Sequence, residues 1–152
     1  MKDEINYVDV SGTDKTFLVL SSDKALLMST RNEGMHVVNI LPSLDPYMMG
    51  FKDRERCLDS ERYKYVFDRS GNATSTILLD GRVIGVWNFE DPFAKVFLFD
   101  DNETDVLKEI HFKARSVGTF ITDKEVRIKE CDSMIPLTQR TAGGVMSPLK
   151  DC

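Results

Sequence analysis

The length, composition and charge of this chain limit what it can be. Its 152 residues are 41% hydrophobic and 30% charged, the balance of a globular domain large enough to bury a core. A net charge of −5 argues against a stand-alone nucleic-acid-binding protein, which usually has a basic excess. Since we find neither a membrane-spanning stretch nor a secretory signal, we expect a cytoplasmic protein with no membrane partner.

The first part of the chain shows strand patterns around one short helix. Residues 5–10 alternate apolar and polar side chains, as a half-buried strand does, and residues 17–20 form a short apolar run. Asp23 is a suitable N-cap for a short helix, and residues 36–41 predict a further strand.

Residues 45–54 form an unusual connector, because ordinary loops are sparse in large apolar groups. Asp45 and Pro46 are typical of the cap and first position of a helix, and Gly50 stops that helix after one turn. Large apolar side chains lie within the turn, so we expect the segment to be buried, or to belong to a site, or both. The residues that shape it are Asp45, Pro46, Tyr47 and Gly50.

Basic residues alternate along the stretch that follows this turn. Lys52, Arg54 and Arg56 are candidate phosphate contacts for a nucleic acid. In the structural alternative, Arg54 pairs with Asp45 or Asp53 and fixes the loop. The local charge favours this alternative, because acidic groups nearly cancel the basic ones in the surrounding stretch.

Two β-rich runs joined by Asp80-Gly81 give the clearest local signal. They predict a hairpin over residues 74–89 with a type I′ turn and a central second strand. Gly85 beside Trp87 leaves room for a close backbone or ring contact. Trp87 is a candidate for stacking on bases, but its apolar surroundings favour burial in the core.

The rest of the chain adds two helices, two strands and a tail. In chain order, the helix, strand, longer helix and last strand are predicted over residues 59–67, 95–99, 105–117 and 125–129. Gly118 follows the longer helix, and the sequence beyond Pro136 predicts an extended tail with little core.

These elements predict an α+β fold, with a curved antiparallel sheet or small β-barrel and two or three packed helices. We expect one domain over residues 1–136, in which residues 1–41 supply entry strands. Residues 42–136 then contain the connector at residues 45–54, which we take as the signature segment, and a barrel-like core. Residues 137–152 form the tail.

The residues give no catalytic constellation and no metal site. His36 and His111 lie in no nucleophile–histidine motif, and glycine-rich phosphate loops are absent. Cys57 follows two arginines but is more typical of a buried thiol. Because the chain has an odd number of cysteines and no Cys-x-x-Cys pair, we expect Cys57, Cys131 and Cys152 to be reduced. We predict no cofactor.

Two stretches of the chain carry a family resemblance. The run Ile-Leu-Pro-Ser-Leu-Asp-Pro-Tyr-Met-Met-Gly-Phe-Lys-Asp-Arg at 40–54 and the arm Ile-Leu-Leu-Asp-Gly-Arg-Val-Ile-Gly-Val-Trp at 77–87 resemble a family of winged-helix DNA-binding-domain proteins. That family includes the DNA glycosylases that excise alkylated bases and unhook interstrand crosslinks. The match extends over nearly the whole chain.

The resemblance implies that the chain corresponds to the C-terminal, β-barrel-like part of such proteins. Family members carry winged-helix units first, and their glutamine-containing catalytic motif lies in that earlier part. The sole glutamine here, Gln139, lies outside any matching motif. The resemblance therefore implies no catalytic residue in this chain, and glycosylase activity only if a catalytic N-terminal part is joined to it.

Two functional hypotheses follow. In the first, the chain is a non-catalytic DNA-binding or scaffolding domain of a winged-helix glycosylase-like protein. One partner is then duplex DNA, which is bound weakly and in a salt-sensitive way through the basic residues named above. The other is an upstream winged-helix domain or protein. In the second, it is a protein-interaction or small-ligand domain that uses the curved sheet near Trp87.

Overall fold

A computed structural model of the chain describes residues 4–11, 14–30, 34, 36–140, 144–150 and 152. The chain divides into two compact units, Met1–Met35 and His36–Cys152. Among the described residues, we find no helix whose length and apolar character suit a membrane span.

The smaller unit is a β-hairpin followed by a helix. Strands β1 (Ile5–Asp9) and β2 (Thr16–Leu20) pair antiparallel, and helix α1 (Ser21–Ser29) follows β2 directly. The predicted strands and helix are confirmed. The predicted cap is wrong, because α1 begins before Asp23, which lies in its first turn.

The larger unit is built on a five-stranded sheet whose spatial order is β3-β4-β5-β6-β7. The strands are β3 (Val38–Leu41), β4 (Thr76–Leu79), β5 (Arg82–Glu90), β6 (Phe93–Leu98) and β7 (Arg127–Glu130). All neighbours are antiparallel except β6 and β7, which are parallel because helix α4 (Thr104–Thr122) connects them as a crossover. The described strands form an open sheet with β3 and β7 at its edges, so the alternative of a small β-barrel is wrong. The α+β class is confirmed, and the predicted antiparallel sheet is confirmed except at the β6–β7 pair.

Helix α4 covers one face of this sheet. Its predicted apolar stripe is confirmed, since Val106, Ile110 and Ala114 are buried against the sheet. The predicted end at Gly118 is wrong, because the helix continues to Thr122. A Cβ at Gly118 would lie only 2.9 Å from the Phe89 ring, so the glycine permits close packing rather than ending the helix.

An irregular segment and the end of the chain cover the opposite face. The segment contains α2 (Pro46–Met49), a 3₁₀ turn at Ser60–Arg62 and α3 (Tyr63–Val66). After Pro136, where we expected little core, a second 3₁₀ turn (Leu137–Gln139) begins a stretch whose described residues include large buried apolar side chains. These side chains are Leu137, Val145 and Leu149. The domain boundary expected after residue 136 stays a prediction.

Two cysteines that we expected to be reduced form a disulfide. Cys131 follows β7, and the returning chain brings Cys152 to a Cα–Cα distance of 5.7 Å from it. The sequence could not indicate this pairing, because it depends on how the last residues fold back. Cys57 is buried and free, as expected.

Candidate nucleic-acid interface

The connector at residues 45–54 folds as the sequence predicted. The Asp45 carboxylate accepts a hydrogen bond of 2.8 Å from the Tyr47 amide, and Pro46 occupies the first turn of α2. Gly50 ends the helix with a φ of −75°, and its amide donates to the Pro46 carbonyl. A Cβ here would lie 2.7 Å from that carbonyl oxygen, so close approach, and not a left-handed φ, explains the glycine.

Helix α2 rests on the turn of the β4–β5 hairpin. Met48 is buried in the core, and the Tyr47 hydroxyl donates to the Gly81 carbonyl at 3.1 Å. Asp80 and Gly81 have φ values of 51° and 82°, which confirms the predicted type I′ turn. The turn therefore supports the helix from which the basic stretch emerges.

Asp80 also attaches the turn to the chain just before β3. One carboxylate oxygen accepts from the Val37 amide, and the other lies 2.8 Å from Nδ1 of His36. These bonds hold the pKa of Asp80 below its ordinary value, the backbone bond contributing most. The hydrogen bond to Asp80 in turn raises the pKa of His36.

The three basic residues of the connector have different surroundings. The Arg54 guanidinium lies 3.9 Å from the centroid of the Phe67 ring, and its Nη1 donates to the Tyr63 hydroxyl at 2.6 Å. This side chain is partly buried and faces the protein, with its Nε enclosed and without a hydrogen-bond partner. Arg54 therefore braces the loop mainly through two aromatic residues.

Lys52 and Arg56 are exposed, unlike Arg54. The Arg56 guanidinium lies 3.8 Å from the centroid of the Phe51 ring and 5.2 Å from that of Tyr47. Among the described residues, neither Lys52 nor Arg56 forms an ion pair. The two cations are thus presented to solvent, one of them held by stacking on a half-exposed ring.

The neighbouring arginines are neutralised by acidic residues. Arg82 pairs with Asp59, and Arg62 pairs with Asp59 and Asp100. This confirms the mixed, ion-paired surface expected from the near-neutral local charge. Lys52 and Arg56 thus differ from Arg62 and Arg82, whose charges are balanced by acidic partners.

Comparison with known proteins supports the similarity to DNA glycosylases seen in the sequence. The family model described as "DNA glycosylase AlkZ-like" matches residues 1–92. The chain belongs to the AlkZ-like DNA glycosylase family. An interstrand DNA cross-link repair glycosylase of Streptomyces sahachiroi is 27% identical to it over 119 residues, which are 78% of this chain and 31% of that protein.

A solved structure shows that the similarity extends to the fold. The Streptomyces sahachiroi DNA glycosylase AlkZ superposes with a TM-score of 0.69 at 26% identity, over 85% of this chain and 34% of that one. The AlkZ-like chain therefore spans about a third of the length of these relatives.

Candidates for catalysis in this AlkZ-like chain are weak. Burial raises the pKa of the Cys57 thiol despite the three nearby arginines, so it is a neutral core group rather than a nucleophile. Among the described residues, no group of histidine, cysteine or acidic side chains is arranged to hold a metal ion.

The two hairpin residues singled out in the sequence have structural roles. A Cβ at Gly85 would lie 2.4 Å from the Phe97 carbonyl oxygen, which confirms the predicted close approach of backbone. Trp87 is 6% exposed and donates from Nε1 to the Leu41 carbonyl at 2.9 Å. Its predicted burial is confirmed, and its ring is unavailable for stacking on bases.

Sequence reasoning missed the aromatic residues that position the arginines. Phe51 lies within the connector, but its pairing with Arg56 was not apparent because a turn separates them. Tyr63 and Phe67, whose rings stack at 4.6 Å, lie in the helix predicted over residues 59–67, but the sequence did not indicate their contacts with Arg54. The sole available signal was the high density of aromatic residues around the arginines.

Proposed function

We propose that this chain is a non-catalytic DNA-binding or scaffolding domain of an AlkZ-like protein, and that Lys52 and Arg56 contact the phosphates of duplex DNA. The observation that carries the proposal is the pair of exposed cations without ion partners, at a loop fixed by a capped helix and a tight turn. Family membership supports DNA as the partner, since the relatives are DNA glycosylases by name.

The geometry favours phosphate contact over base reading. Lys52 and Arg56 follow a one-turn helix on a surface, and no described element projects from it in the manner of a recognition helix. Exposed cations of this kind fix a protein on the DNA backbone without carrying sequence information. With a net charge of −5 on the whole chain, the interaction is weak and is lost as salt rises.

We assign Arg54 a supporting role in this interface. Its guanidinium is occupied by Phe67 and Tyr63, so it holds the loop that presents its two neighbours. Asp45, Pro46, Tyr47 and Gly50 shape the same loop through the cap, the first turn, the contact with Gly81 and the tight end of the helix.

We further propose that glycosylase chemistry requires a part of the relatives that this chain does not span. The support is that the chain spans about a third of their length and that burial raises, rather than lowers, the pKa of its Cys57 thiol. On this proposal, the winged-helix units and the glutamine motif implied by the resemblance belong to a joined or partner segment.

Fluorescence anisotropy with a labelled duplex tests the DNA contact. The double variant Lys52→Ala/Arg56→Ala should bind at least about tenfold more weakly at low salt, and its log–log salt slope should fall by roughly two, one per lost phosphate contact. The control is Lys108→Ala/Arg115→Ala, which removes the same charges from α4 on the opposite face of the sheet. Absence of binding at low salt, or an equal loss in the control, would contradict the proposal.

The alternative function is a protein-interaction or small-ligand domain near Trp87. The burial of this side chain and its bond to Leu41 give that alternative no open pocket at the ring itself. A thermal-shift screen with nucleotides and common metabolites discriminates the two. Stabilisation by a small molecule, combined with no binding of duplex DNA, would favour the alternative.

A further inference from the structure

One face of the small N-terminal unit is apolar and uncovered within that unit. In the β1–β2 register, Ile5 is opposite Leu20 and Tyr7 is opposite Leu18, so these four side chains project from the same face. All four are exposed, Tyr7 to 76% and Leu18 to 64%. They form a continuous apolar surface, which we call the hairpin face.

The other face of the hairpin is partly covered by α1. It carries Asn6, Val8, Phe17 and Val19 in the alternate positions of the same register. The Asn6 amide donates to the Ser21 hydroxyl at the start of α1, and three of the four residues are half-buried. The unit therefore has an inner face with a helix on it, and the hairpin face is its outer side.

A hairpin with one apolar side uncovered is not a self-sufficient fold. Two antiparallel strands alone are marginally stable in water and need a packing partner on a hydrophobic face. Among the described residues of this unit, none is fully buried. Contiguous exposed apolar patches of this kind mark interaction surfaces in soluble proteins.

The comparisons indicate which kind of partner covers this face. The match to the AlkZ-like family model begins at residue 1 of this chain and so includes the whole unit, which makes the hairpin part of the sequence that the family shares. The Streptomyces sahachiroi relative has about two thirds of its length outside the matched region, since 31% of it is covered. Its remaining chain is available to pack against this unit.

We propose that the hairpin face of Ile5, Tyr7, Leu18 and Leu20 is the docking surface for a folded protein domain equivalent to the part of AlkZ-like glycosylases that this chain does not span. The partner contributes an apolar surface that removes these side chains from water. At one end, the Asp9–Thr16 pair, in which the Thr16 hydroxyl donates to the Asp9 carboxylate, supplies a polar rim. The proposal rests on the family assignment and is independent of the DNA contact.

Co-expression of two polypeptides tests the docking. One is the full chain described here with an affinity tag, and the other is the part of the Streptomyces sahachiroi glycosylase outside the 119 aligned residues. We expect the pair to co-purify as a one-to-one complex, and Tyr7→Ser/Leu18→Ser to reduce the recovered partner at least about tenfold. The matched control is Phe112→Ser/Phe120→Ser, which removes from α4 two apolar side chains that are at least as exposed.

Thermal unfolding of the isolated chain supplies a second readout. Because the hairpin face has no partner within its own unit, the double serine variant should unfold within about one degree of the wild type. A clear fall in its midpoint would show that the rest of the chain covers the face, and would overturn the proposal. Failure of the wild-type pair to co-purify, equal loss in the control, or a homodimer abolished by the variant would overturn it as well. DNA binding measured on the same variant should be unchanged, which separates this test from that of the proposed function.

Discussion

The two faces of the five-stranded sheet are covered in different ways. On one, the nineteen-residue helix α4 packs a periodic apolar stripe onto the strands. On the other, short turns and the returning chain end are held by individual contacts, such as the Thr74 hydroxyl donating to the Val145 carbonyl. The helical face is thus specified by a repeated sequence pattern, whereas the irregular face depends on contacts between single residues. The candidate interface lies on the irregular face.

The largest expected losses of stability come from truncating one core residue on each face. Phe67 and Ile110 are both fully buried. We expect Phe67→Ala to lower the free energy of unfolding by about 3–5 kcal/mol and Ile110→Ala by about 2–5 kcal/mol, as cavities of this size do. Urea denaturation measures both values.

DNA affinity should separate the two core variants even where their stabilities agree. Phe67 supports the Arg54 guanidinium at 3.9 Å, so its loss should loosen the loop and weaken binding, whereas Ile110 contacts no part of the loop. If Phe67→Ala does not fold, Phe67→Leu retains most of the volume and removes the aromatic face. Equal DNA affinity in the Phe67 and Ile110 variants would show that packing beneath the loop does not affect DNA binding.

Helix caps give a smaller and more local contrast. Asp45 caps α2 through its carboxylate, while Glu103 at the start of α4 makes no side-chain capping bond. We expect Asp45→Ala to cost about 1 kcal/mol and Glu103→Ala only a few tenths. The measurement is again urea denaturation. If the two variants lose the same free energy of unfolding, the Asp45 cap does not stabilise α2.

How far the sequence could predict this molecule follows the same division. The stripe of α4 and the Asp80-Gly81 turn were predictable because period and turn chemistry are local properties of the chain. The contact of the Arg54 guanidinium with the Phe67 ring was not predictable, since these residues are thirteen positions apart and the backbone between them is irregular. The disulfide depends on the folded path of the last residues, and the parallel pairing of β6 with β7 depends on the crossover of α4.

The candidate site was predicted in part for the same reason. The alternation of Lys52, Arg54 and Arg56 identified the right stretch, and the cap, proline and glycine gave its shape. Which of the three cations face outward could not be derived, because that depends on the positions of the Tyr63, Phe67 and Phe51 rings.

The smallest expected effect concerns the ion pair that attaches the hairpin turn to the chain before β3. The pKa of His36 is raised above its ordinary 6.5, so its contribution to stability is fully present below pH 6.5 and is lost as pH rises through the raised value. The pKa of Asp80 is lowered below 3.8, so its contribution is present above pH 3.8 and is lost as pH falls through the lowered value. The pair therefore stabilises the fold most between these two ordinary values.

Thermal unfolding between about pH 6 and about pH 9 measures the upper limb of this dependence, over the range in which histidine loses its charge. The wild type should lose a small part of its stability over that range, and His36→Gln should lose less of it. Asp80→Asn is the matched variant, because asparagine tolerates the left-handed φ at this position and its side-chain oxygen can still accept from the Val37 amide. It should flatten the same limb while preserving the turn. If both variants retain the full wild-type slope, the pair does not couple the turn to the start of β3, and α2 is supported by the Tyr47 contact and core packing alone.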